Sequence, residues 1–204
     1  MLRLYFFEIL QHRSTVIITF CLFVLYVITV PLMIGLSPEL INHFHVGLIW
    51  ICILFAFIPE RFVQYDFEDG TLEMYFLSTC AIQPILICKI LGVWCLKVSG
   101  ILCTFPILGI VYHFEHYKEL ALDLLCGSFV FTLICAIHSC LTLGTGEAWN
   151  LQHLTTLPTL LPFIMLCTSV PDLDHLVALI GLLSVFLWLF WVFVPLTLYN
   201  ILSH

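Results

Sequence analysis

The sequence predicts an all-α membrane protein of about six transmembrane helices. Hydrophobic residues make up 62% of the 204 positions, charged residues only 9%, and mean hydropathy is +1.15. Soluble domains carry about a quarter charged residues, so water cannot be the main solvent for this surface. The apolar residues also fall in long runs, and a helix needs roughly 20 of them to cross a hydrocarbon core of about 30 Å. Backbone polar groups in lipid must be satisfied within the segment, which selects the helix.

The runs follow in order. An amphipathic helix is expected over 2–13, where Leu2, Phe6, Ile9 and Leu10 form a stripe and Arg3, Glu8, Gln11 and His12 lie mostly off it. Such a stripe lies along a membrane interface, although the same residues could simply extend the first span. The spans are expected at about 15–36, 43–59, 84–112, 121–144, 155–170 and 176–199. Pro106 marks a kink in the third, and Pro158 and Pro162 interrupt the fifth. Residues 60–83 break the apolar pattern between spans two and three. No repeat or low-complexity linker divides the chain, so 1–204 reads as one transmembrane domain.

Six Lys and Arg set the orientation. With the N-terminus inside, Arg3, Arg13, Arg61 and Lys89 fall at the inner face, Lys118 at the outer face and Lys97 within a span. The positive-inside rule then puts both termini inside. The N-terminus has neither an Arg/Ser-rich transit peptide nor a signal-cleavage site, which fits a chain inserted where it is made. The net charge of −7, without a basic patch, argues against nucleic-acid binding. The ten cysteines are scattered through apolar runs with no C-x-x-C, so they read as small hydrophobes.

The segment from Pro59 to Glu73 carries the chemistry. It holds Glu60, Asp66, Glu68, Asp69 and Glu73, five of the thirteen acidic residues. Asp69-Gly70 is a turn signal, and Leu72, Tyr75 and Phe76 recur beyond it at helical spacing. Two short amphipathic pieces joined at Gly70 are predicted on the inner face. On physics alone this is a solvated interfacial loop or a docking element. No G-x-x-x-x-G-K-[ST] occurs, and Gly144-Thr145-Gly146-Glu147 lacks the Lys and the spacing. Any energy from ATP must therefore come from another chain.

The run G-L-I-W-I-C-I-L-F-A-F-I-P-E-R-F-V-Q-Y-D-F-E-D-G-T-L-E from Gly47 to Glu73 resembles the CcmB family, most of all its mitochondrially encoded forms. Phe105-Pro106, Ile137-His138-Ser139-Cys140 and L-T-T-L-P-T-L-L-P from Leu154 to Pro162 extend the resemblance over nearly the whole chain. That family supplies permease subunits to ABC complexes of cytochrome c maturation. The resemblance implies a type-2 ABC exporter permease-like fold, with an elbow helix before span one and a coupling helix between spans two and three. It makes Glu60, Arg61, Asp66, Asp69, Gly70, Thr71 and Glu73 the candidates for contact with an ATPase. Phe67-Glu68 departs from the Tyr-Arg of bacterial members, so not every bacterial contact is reused.

The resemblance further implies partners: an ABC ATPase (cytochrome c maturation A), a haem-handling sister subunit (C), a small subunit (D) and a haem chaperone (E). ATP and haem would be bound by those partners, with no cofactor and no metal held directly and no catalysis in this chain. A homodimer of twelve spans is expected. The location implied is the mitochondrial inner membrane, or a bacterial plasma membrane. The alternatives are an ATP-independent haem-binding membrane protein and a type-2 permease for lipid or polysaccharide.

Several other residues invite roles. His43, His45, His113, His116 and His175 fall at the expected outer face, where solvated His is the simpler reading than a haem ligand. Lys97 is either buried at a protein interface or snorkelling from a tilted helix. His138, with Ser139 and Thr142, fits hydrogen bonding between helices.

Overall fold

The computed structural model describes residues 13–34, 49, 50, 53, 63–77, 82–112, 117–145, 148–167 and 173–202, and no strand occurs among them. The elements are α1 (Arg13–Ile34), α2 (Gln64–Glu68), α3 (Thr71–Leu77), α4 (Ile82–Tyr112), α5 (Tyr117–Leu141), α6 (Ala148–Cys167) and α7 (Leu173–Leu202). Ile49, Trp50 and Ile53 are also helical and fully buried. The expected interfacial helix at 2–13, most of the span at 43–59, and the candidates Glu60 and Arg61 lie outside the described residues.

Three stretches among these residues are long and apolar enough to cross a membrane: Ile82–Thr104, Ala121–Leu141 and Val177–Tyr199. Their 21 to 23 residues extend about 31–35 Å at 1.5 Å per residue. α1 holds a shorter apolar stretch, Phe20–Thr29. α4 continues through Pro106 as one helix. α6 begins at Ala148, seven residues before the expected span. Polar residues there conceal the helix from a hydropathy reading, yet Gln152 and Thr156 are buried, and the Thr156 hydroxyl donates to the Gln152 carbonyl. Thr155 and Thr159 likewise donate to carbonyls one turn back, so these hydroxyls need no water.

α5 is the central helix. It packs against α4, α6 and α7, while α1 lies on α4. Most of Ala121–Leu141 is buried, whereas little of Val177–Tyr199 is. The outward face of α7 carries Trp188, Trp191, Phe193, Leu196 and Tyr199. So broad an apolar face is compatible with lipid and not with bulk water.

Two apolar clusters occupy the bundle. One joins Phe23 and Val27 of α1, Trp50, Ile101 of α4, Phe131 and Ile134 of α5, and Phe163 of α6. Lipid tails are as apolar as these side chains, so close packing rather than water exclusion holds them together. Trp50 shows this best. Its ring meets Phe163 edge-on at a centroid distance of 5.8 Å, and its indole N–H donates to Asp123 Oδ2 at 3.4 Å. It also lies directly over Gly127, where any Cβ would overlap the ring. Asp123 is fully buried, an acid inside a stretch that reads as apolar.

The second cluster contains Val63, Leu72, Ile82, Leu86 and Ile90, together with Ile137 and Cys140 of α5 and Val194 and Leu198 of α7. This cluster positions the segment between the spans.

Candidate functional site

α2 has five residues and α3 seven, far below the length at which a helix persists by itself. Tertiary anchoring is therefore required, and Val63 and Leu72 supply it. Both are fully buried in the second cluster, with Phe67 and Tyr75 packed beside them. Phe67 N–H donates to the Val63 carbonyl at 3.0 Å and Asp69 N–H to Tyr65 at 2.9 Å, closing α2. Gly70 then takes φ = 72°, the left-handed geometry that reverses the chain into α3. The expected pair of short helices meeting at Gly70 is what the structure contains.

Burial of one face exposes the other. Tyr65, Glu68, Asp69, Glu73, Met74 and Leu77 are exposed, and Gly70 and Thr71 are half-buried between them. Glu68 is bridged by the Gln64 amide at 2.9 Å. The outward face is thus acidic and apolar, with no Lys or Arg between positions 63 and 77. Such a face complements a groove that is basic at its rim and apolar at its floor.

Asp66 differs from the other acids. It turns inward and forms an ion pair with Lys89 of α4 at 2.6 Å, with side-chain exposures of 15% and 8%. A 2.6 Å charge-assisted bond is short and directional. Removing one partner of a pair buried to this degree costs about 3 kcal/mol, because the other charge stays desolvated. Sequence reasoning placed Lys89 at the inner face but gave it no role. A signal was present, since Lys89 lies in the second turn of a span, level with an acidic loop.

The structure therefore brings Asp66, Asp69, Gly70, Thr71 and Glu73 together on one segment and divides them by direction. Lys97 and His138 lie elsewhere. Lys97 is buried against protein, which decides against the snorkelling alternative. His138 Nε2 is hydrogen-bonded to Thr159 Oγ1 at 3.0 Å and so joins α5 to α6. On the adjacent α4–α5 seam, the Trp94 indole donates to Ser128 Oγ at 3.0 Å. His43, His45, His113 and His116 lie outside the described residues. Cys140 is buried among apolar side chains, as its reading as a small hydrophobe expects.

Comparison with known proteins adds a family to this geometry. The model of the CcmB protein family matches residues 7–194. A ccmB-like mitochondrial protein of cytochrome c biogenesis from Marchantia polymorpha is 51% identical over 99% of this chain and 74% of its own. A protein of the same description from Arabidopsis thaliana is 45% identical over 93% and 94%. Heme exporter protein B of Haemophilus influenzae is 29% identical over 80% and 76%.

Proposed function

The chain belongs to the CcmB family, and we propose that it is the membrane permease subunit of an ABC-type complex for cytochrome c maturation. In this reading it hydrolyses nothing itself. A separate ATPase seats against the outward face of α2–α3, and movement there is passed to the helix bundle. The observation that carries the reading is that face: acidic, apolar, exposed, and fixed to the bundle by Val63, Leu72 and Lys89.

The finer architecture belongs to the same proposal. The chain forms one domain of six spans with the type-2 exporter arrangement, an elbow helix at 2–13, and both termini on the matrix side of the mitochondrial inner membrane. Two copies pair to give twelve spans. ATP is held by the ATPase, and haem by the sister subunit and the chaperone. The output is release of the haem-loaded chaperone on the outer face rather than passage of haem through this chain. Several polar side chains of the bundle are engaged in helix contacts, as with His138 and Thr159 or Trp94 and Ser128. That leaves little to escort a porphyrin with two propionates through the bundle.

The test is a pull-down in mild detergent. Asp69→Lys and Glu73→Lys should each reduce co-purification of the ATPase about tenfold, from like-charge contact with a basic rim, while the chain still inserts. Retention of the ATPase at the wild-type level by both would overturn the docking assignment. Normal c-type cytochromes after loss of the gene would instead favour a permease for another substrate.

A further inference from the structure

We infer that Lys89 is a positioning residue, which latches the α2–α3 segment to α4 and fixes where the acidic face sits relative to the span. The inference deepens the docking assignment and rests on it for its consequence, though not for its geometry. Apolar contacts at Val63 and Leu72 resist separation, but they are non-directional and permit the segment to slide. The Lys89–Asp66 pair, at 2.6 Å, permits no such sliding. The two residues are 23 positions apart, and the pair crosses from a five-residue helix to one of 31 residues. A load on the short element is therefore delivered to the long one at a single point, one to two turns inside the start of α4. Electrostatics act in the same direction. Asp66, Glu68, Asp69 and Glu73 crowd one segment without an internal cation, and Lys89 offsets their repulsion from beneath.

Two arms test this on the full chain. In detergent without any ATPase, a glutamyl endopeptidase is used to cut after Glu68 and Glu73. Cleavage of the segment tracks the population in which it has come away from the bundle. Lys89→Met and Asp66→Asn should each speed cutting about tenfold or more, while Lys89→Arg stays within about threefold of wild type. The exchange Asp66→Lys with Lys89→Asp should recover most of the protection. Equal cleavage in all variants would overturn the latch, as would an exchange no better protected than Lys89→Met. In the second arm the chain is co-expressed with the ATPase. Lys89→Met should still bind it through the intact outward face, yet lower the yield of c-type cytochromes about tenfold. A wild-type chain that captures no ATPase overturns the docking assignment and the role in transmission, while the first arm still decides the latch. Unaltered cytochrome yield with the ATPase bound overturns transmission alone.

Discussion

Gly127 is the position at which this bundle has the least room. Replacing it with Ala puts a methyl group 2.6 Å from Trp50 Cζ2 and closer still to Cη2. Carbon atoms prefer about 3.5–4.0 Å, so the indole must retreat by about 1.5 Å or α5 must move. Neither is easy, because Trp50 is fully buried, bonded to Asp123 and in edge contact with Phe163. Overpacking of this kind costs about 1–3 kcal/mol, and a strained Trp50–Asp123 bond adds about 1 kcal/mol. Alanine returns up to about 1 kcal/mol as a better helix former than glycine. The net expectation is a loss of about 2 kcal/mol, roughly a thirtyfold shift in the folding equilibrium. Thermal unfolding in detergent, followed by tryptophan fluorescence, should show a fall of about 4–8 °C. Adding Trp50→Phe removes the atoms in the way, so the double variant should be less destabilised than the sum of the singles. A Gly127→Ala protein as stable as wild type would refute the reasoning.

Other substitutions probe separate parts of the structure. Thr159→Val removes the partner of His138 and should cost about 0.6 kcal/mol, the average for hydrogen bonds between membrane helices, and at most about 1.7 kcal/mol, read as a lower unfolding midpoint. Gly70→Ala meets no steric neighbour, since nothing lies within 4 Å of the new Cβ. Its cost of about 1–2 kcal/mol comes from the left-handed backbone alone. Gly70→Asn should cost less, because Asn tolerates that geometry. Protease resistance of 63–77 should rank the three residues Gly, Asn, Ala.

Much of the helical layout was legible because hydropathy and turn chemistry are local. Asp69-Gly70 announced the break between α2 and α3, and the runs at 84–112 and 121–144 correspond to α4 and most of α5. Helix ends were less legible. α7 runs from Leu173 to Leu202, three residues beyond its apolar run at each end, because a helix can continue through polar turns that a hydropathy window trims. α6 started early for the related reason that Gln152 and Thr156 are buried polar residues satisfied within the protein. The partition of the acidic segment was illegible. Asp66 and Asp69 are the same side chain three residues apart, and only the position of Lys89 on another helix sends one inward and leaves the other exposed. Asp123 was hidden in the same way, because its partner Trp50 is 73 positions away.

The two prolines of α6 make the bundle mechanically uneven. Pro158 and Pro162 lie inside the helix and have no N–H to return to the carbonyls of Leu154 and Pro158, so two successive rungs are missing from one ladder. A rod with missing rungs flexes more readily than its neighbours, and α5 beside it is glycine- and proline-free beyond Gly127. Thr159 stands between the prolines and is tied to His138, which gives the soft rod a fulcrum on the stiff one. Bending of the bundle is thereby concentrated in α6 about that tie, while α5 serves as the fixed axle.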